Sequence, residues 1–122
     1  MDAAVKRSVA PVFWLLFGAG GMLSAFTGPA LVLITGLAVP TGIGVSPSFM
    51  SFARATAFAQ DPLGKLVLFG VIALFLWHGA ERIYLTLRDM RAGGRLALMC
   101  ICYGSASALT FVTVGTLMII GF

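Results

Sequence analysis

Three long apolar runs, at residues 12–39, 63–87 and 96–122, constrain this chain more than any other feature. Each exceeds the roughly 20 residues a helix needs to cross a bilayer. Of its 122 residues, 60% are hydrophobic and only 10% charged. A soluble domain of this size has too little interior to hide that much apolar surface. The expected fold is therefore all-α and integral to the membrane. Three transmembrane helices form a single anchor domain over residues 1–122, with a short interfacial helix between the first and second.

The net charge of +4 follows the same layout. Lys6 and Arg7 precede the first run, Arg88, Arg91 and Arg95 join the second to the third, and Arg54 and Lys65 lie in or beside the first connection. The positive-inside rule then puts the N-terminus and the second loop in the cytoplasm. No basic patch interleaved with aromatics exists, so nucleic acid is excluded as a partner. Cys100 and Cys102 fall about 200° apart around a helix and cannot share a metal. They read as small apolar residues. The first run is too long for a signal peptide and opens a multi-span pattern.

Along the chain, a charged lead ends at Pro11. Gly21 and Ala25 form a small-xxx-small face suited to close helix approach. Gly28-Pro29 predicts a kink, with the freed carbonyl satisfied by a neighbour or by Thr27. In the first connection, Ser46 before Pro47 reads as a helix N-cap. Phe49, Phe52, Ala53 and Ala57 then follow at helical spacing. Pro62 suits the first turn of the second transmembrane helix. The short arginine-rich loop makes the second and third helices antiparallel neighbours. Gly104, Ser105, Ser107, Ala108, Thr110 and Thr113 read as packing residues.

The chain's only histidine and only glutamate, His78 and Glu81, lie in Phe75-Leu76-Trp77-His78-Gly79-Ala80-Glu81-Arg82-Ile83-Tyr84. Ionisable groups are costly at membrane depth, so such a cluster is a candidate site. With the N-terminus inside, Trp14 lies in the first turn of helix one. Glu81 lies about 27 Å along helix two, at roughly 1.5 Å per residue. Glu81 and Arg82 therefore lie close to the cytoplasmic surface, as Trp14 does, and the two groups can line one pocket. His78 and Glu81 share a helix face, while Arg82 points about 100° away. Against a site stand the ordinary roles: Glu81 and Arg82 snorkelling to headgroups, and Trp14 in the aromatic belt. His78 has three readings: a histidine satisfied within the bundle, an axial haem ligand shared with another chain, or a proton carrier. The chain has no nucleophile–base pair, metal-ligand set or phosphate loop, so it is expected to carry no active site of its own.

Several motifs resemble a known family. Pro11-Val12-Phe13-Trp14 with Leu16-Phe17-Gly18-Ala19-Gly20-Gly21-Met22 is similar to the opening of the D subunits of bacterial quinol:fumarate reductases. Ala57-Phe58-Ala59-Gln60 with Gly64, and Leu76-Trp77 with Gly79 and Arg82, resemble the two later landmarks of that family at matching spacing.

The resemblance implies a non-catalytic, multi-pass anchor subunit in the bacterial inner membrane, serving anaerobic respiration. Its implied partners are an FAD-bearing flavoprotein, an iron–sulphur protein that holds the clusters, a second membrane anchor (the C subunit) and the lipid bilayer. The implied ligand is menaquinone or menaquinol at the interface between the subunits. Trp14 and Arg82 match the proximal quinone site, and Phe17 and Glu81 complete the quinone-binding set. Phe58 and Gln60 match positions at a proposed distal site. His78 and Glu81 are the proton-relay candidates. Where well-known members place histidine before the arginine, this chain has Glu81, which can still accept a quinol proton. His78 stands where related succinate dehydrogenase anchors present a haem ligand. Haem is not expected here, but a haem-b-binding succinate dehydrogenase anchor is the alternative. A small proton-coupled transporter and a structural assembly factor rank below it.

Overall fold

The computed structural model describes residues 10–121. Lys6 and Arg7, which carry part of the orientation reading, lie outside the described residues. Four helices follow in order: α1 (Ala10–Thr41), α2 (Phe52–Gln60), α3 (Pro62–Asp89) and α4 (Arg95–Ile119). There is no strand among the described residues. α1, α3 and α4 are long and apolar enough to cross a membrane, and α2 lies between the first two. The chain is a multi-pass membrane protein of the expected all-α class.

α3 is the middle helix, packing against α1, α2 and α4. Its start is built by Asp61, whose carboxylate accepts the Gly64 backbone N–H at 2.9 Å, and by Pro62 in the first turn. Pro costs nothing there because that N–H has no helical partner. α3 ends in a tight reversal. The Ala92 N–H donates to the Leu87 carbonyl and the Arg91 N–H to the Arg88 carbonyl, with Arg91 at φ 52°. That pairing is the Schellman arrangement, with arginine where glycine is usual. The reversal lays α4 antiparallel on α3 around a core of Tyr84, Leu98 and Cys102.

At the opposite end, Lys65, beside the first connection, has a structural role that its reading as a topology charge does not include. It is buried in the first turn of α3, and its Nζ donates to three carbonyls: Ala59 at 2.9 Å, Leu117 at 2.9 Å and Gly121 at 2.5 Å. Helix C-termini leave carbonyls unsatisfied and carry partial negative charge, so an ammonium is well placed there. One side chain thus ties the ends of α2 and α4 to the start of α3.

Four local expectations are corrected. The interfacial helix begins at Phe52, not at Pro47. Ser51 is its N-cap, while Ser46 accepts the Phe49 N–H in a turn and its hydroxyl pairs with that of Ser48. Extended backbone at Ser51 breaks any run from Pro47, so Phe49 falls outside the helix. In α1 the α-helical pattern runs through Pro29, and the departure from it is a π turn at Ile34–Ala38. The close approach to α3 uses Gly20 and Gly21, while Ala25 is exposed. On α4 the buried stripe is Leu98, Cys102, Ala106 and Leu117. Gly104 and Ala108 are exposed, and the hydroxyls of Ser105, Ser107, Thr110 and Thr113 bond back to their own helix. Short hydroxyl side chains find the preceding-turn carbonyl more readily than a partner across the bundle.

Candidate functional site

Near the N-terminal ends of α1 and α4, a largely apolar cavity of about 740 Å³ opens between the three long helices. α1 lines it with Ala10, Phe13, Trp14, Leu16 and Phe17, α3 with Ala73, Leu74, Trp77 and Glu81, and α4 with Met99 and Tyr103. That size and lining, mostly apolar with a few convergent polar groups, suit a small organic ligand.

Helix spacing explains the convergence. Phe13, Trp14 and Phe17 lie within one turn or so of each other on α1. Trp14 and Phe17 meet edge to face with centroids 6.0 Å apart. On α3, Leu74, Trp77 and Glu81 recur at three and four residues and share a face. Across the α3–α4 reversal, Glu81 lies eight residues before the last residue of α3 and Tyr103 eight after the first of α4. Both therefore sit about 12 Å from the same helix ends, at 1.5 Å per residue. Their side chains meet: the Tyr103 hydroxyl donates to Glu81 Oε2. Tyr103 also stacks with Trp77 at 6.3 Å and tilts against Tyr84 at 5.3 Å. Arg88 lies over the Tyr84 ring, 5.9 Å from its centroid.

His78 sits behind this cavity rather than in its lining. Its Nδ1 is 3.0 Å from the Phe17 carbonyl oxygen, and its ring stacks on Phe17 at 4.6 Å and 27°. Glycine is required opposite it. A Cβ on Gly21 would stand 2.8 Å from the imidazole Cε1, and one on Gly20 would stand 2.7 Å from the Leu74 carbonyl oxygen. The imidazole thus fills a notch in α1, and its contact with Phe17 fixes one wall of the cavity.

The structure brings Trp14, Phe17 and Glu81 together on one lining, but not Arg82, which the depth estimate puts with Trp14 and Glu81. Arg82 is elsewhere. It is exposed, outside the lining, and its guanidinium has no ion-pair partner among the described residues. Phe58 and Gln60 lie at the far end of the bundle, beside Lys65. Phe58 is half-exposed, and the Gln60 amide donates to the Ile120 carbonyl at 3.4 Å. Sequence reading misses Tyr103 and does not assign Trp77. The signal available for Tyr103 is that it lies as far from the shared loop as Glu81 does and carries the one phenol of α4.

Chemically, the cavity offers flat aromatic walls, one carboxylate and three aromatic donors, the indoles of Trp14 and Trp77 and the Tyr103 hydroxyl. α1 carries no ionisable side chain over Ala10–Thr41, so Glu81 is the only acid on the lining among the described residues. No cluster of three or more His, Cys, Asp or Glu exists among the described residues.

Comparison with known proteins gives a uniform picture. The sequence model of the family described as the fumarate reductase D subunit matches residues 4–119. The chain is 34% identical over 114 residues to the fumarate reductase D subunit of Vibrio parahaemolyticus, covering 93% of this chain and 90% of that protein. It is 35% identical over 109 residues to the corresponding protein of Vibrio cholerae, covering 89% and 83%. With that of Mannheimia succiniciproducens it shares 34% identity over 116 residues, 92% of each chain.

Proposed function

The chain belongs to the family of fumarate reductase D subunits, and on that premise we propose that it holds the catalytic subunits of a fumarate reductase at the membrane and forms part of a menaquinol site. As a family member it is a membrane-anchor subunit of that complex. The fumarate chemistry belongs to a flavoprotein with FAD, fed by an iron–sulphur protein, both docked on the side where the N-terminus lies, the cytoplasm. A second anchor shares the membrane domain.

The observation that carries the quinone reading is the convergence of Trp14, Phe17, Trp77 and Glu81 on one cavity. Aromatic and aliphatic walls fit a flat, apolar ring and exclude water from it. When bound, menaquinol supplies two electrons and two protons to the complex. Trp14 forms a wall and offers its indole N–H, a donor only, to a ring oxygen. Glu81 is the proton acceptor on this lining, since a carboxylate accepts hydrogen bonds at both oxygens. His78 acts through its seat against Phe17, keeping that wall in place. It is also the second candidate proton carrier. Arg82, facing out of the chain, serves at the seam with a partner protein, where a fixed cation stabilises negative charge on a ring oxygen or on a neighbouring acid. Phe58 and Gln60 are assigned to a separate distal quinone site at the opposite end of α3.

The test is Arg82→Leu in the assembled, membrane-bound complex. Quinol-driven fumarate reduction falls while reduction driven by an artificial dye, which bypasses the membrane domain, is retained. Equal loss of both rates contradicts a quinone role and makes Arg82 an assembly residue.

A further inference from the structure

We propose that Tyr103 is a positioning residue for quinol oxidation, holding Glu81 so that its second carboxylate oxygen faces the cavity as a proton acceptor. The inference rests on the menaquinol reading above and adds to it a residue on a different helix.

Three observations carry it. First, the two residues are the hydroxyl and carboxyl groups of the same cavity, and they are already joined. The Tyr103 hydroxyl donates to Glu81 Oε2, while Oε1 has no hydrogen-bond partner among the described residues. Second, Tyr103 is itself immobilised, stacked with Trp77, tilted against buried Tyr84 and packed on the Tyr84–Leu98–Cys102 core. A glutamate has three rotatable side-chain bonds, and anchoring one oxygen to a fixed ring removes most of that freedom. Third, among the described residues no other side chain on the lining competes. α1 brings no titratable group, α3 brings His78, which points to Phe17, and Arg82, which is exposed, and α4 brings Cys102, which is buried in the core.

A phenol donates one hydrogen and a carboxylate accepts at two oxygens. With Oε2 taken, the remaining lone pairs of Oε1 are the acceptor offered to the ligand. In the step, one quinol O–H bond breaks and an Oε1–H bond forms. The two electrons pass to the iron–sulphur protein, and the proton of the other hydroxyl, across the ring, leaves on the partner side of the site. Tyr103 neither gains nor loses a proton.

The experiment uses the whole complex in native membranes, with a soluble menaquinol analogue and with a dye donor. The variants are Y103F, E81Q and the double variant. Tyr103→Phe keeps the ring and removes only the hydroxyl. The expected result is about a tenfold fall in the quinol-driven kcat for Y103F, an equal or larger fall for E81Q, and dye-driven rates unchanged. Because Tyr103 acts through Glu81, adding Y103F to E81Q costs nothing further. A Y103F loss of the same size in the E81Q background overturns the proposal, as does a full quinol-driven rate in Y103F. Loss of the dye-driven rate in Y103F makes the hydroxyl structural and equally overturns it. If E81Q keeps its full quinol-driven rate, the assignment of this cavity to menaquinol fails at Glu81, and the role of Tyr103 falls with it.

Discussion

The ammonium of Lys65 lies 2.9 Å from the carbonyl oxygen of Leu117, 52 residues further along the chain. With the Ala59 and Gly121 carbonyls it closes the end of the bundle remote from Glu81. The two polar centres of α3 are 16 residues apart, about 24 Å along the helix. They do different work. Lys65 donates to backbone carbonyls of this chain, whereas Glu81, among the described residues, is satisfied at one oxygen only.

Lys65→Met is therefore predicted to destabilise without touching electron entry. It retains the apolar stem but strands carbonyls at the ends of α2 and α4, at a cost of about 1–3 kcal/mol. The thermal unfolding midpoint of the complex in mild detergent falls, and the ratio of quinol-driven to dye-driven rate stays constant. A changed ratio with an unchanged midpoint contradicts this division of roles.

Gly20→Ala disturbs the α1–α3 seam. Its Cβ would meet the Leu74 carbonyl oxygen at 2.7 Å and the His78 Cβ at 2.9 Å, so the helices must separate. Overpacking of this kind costs about 1–3 kcal/mol. Since Phe17 leans on His78, the apparent KM for quinol also rises. Gly18→Ala, with nothing within 4 Å, serves as the neutral comparison within this chain.

Arg91→Gly has the opposite sign. Arg91 holds φ 52°, a left-handed position that costs a residue with a Cβ roughly 1 kcal/mol. Glycine relieves that strain and loses part of the gain to the entropy of the unfolded chain. The midpoint is unchanged or slightly raised, whereas Arg91→Val, β-branched at positive φ, lowers it.

Trp14→Phe separates the wall from the donor. The ring still fills the cavity, but the indole N–H is gone. A neutral hydrogen bond is worth about 0.5–1.5 kcal/mol, so the quinol-driven kcat/KM falls about two- to tenfold. Trp14→Ala loses more, because the wall goes too. Equal effects of the two substitutions would leave the N–H without a role.

Much of this is legible in the sequence, for definite reasons. Run length alone gives the three long helices, because a bilayer fixes how many apolar residues a span needs. Rise per residue places Trp14 and Glu81 at one depth, and the cavity joins them. Rotation about the helix axis is what the sequence withholds. Small, hydroxyl and apolar residues are spread around α4, so nothing in its pattern says that Cys102 faces α3 while Gly104 faces away, or that Tyr103 turns toward Glu81. Lys65 gives no sign of its structural role because a lysine near a loop usually marks topology. Only the fold shows that two helix ends, those of α2 at Gln60 and α4 at Ile119, converge on it. The sequence starts the interfacial helix too early because Ser46-Pro47 and Ser51-Phe52 offer the same kind of capping signal. Backbone geometry at Ser51 decides between them.

The most direct measurement is photoaffinity labelling of the membrane-bound complex with an azido-substituted menaquinone analogue, followed by mapping of the labelled peptides of this chain. The label is predicted on the Phe13–Phe17 stretch of α1 and around Trp77 and Tyr103, and is displaced by excess menaquinol. Labelling confined to the Phe58–Gln60 end, or to partner proteins alone, would contradict the assignment of the α1–α3–α4 cavity as a quinol site.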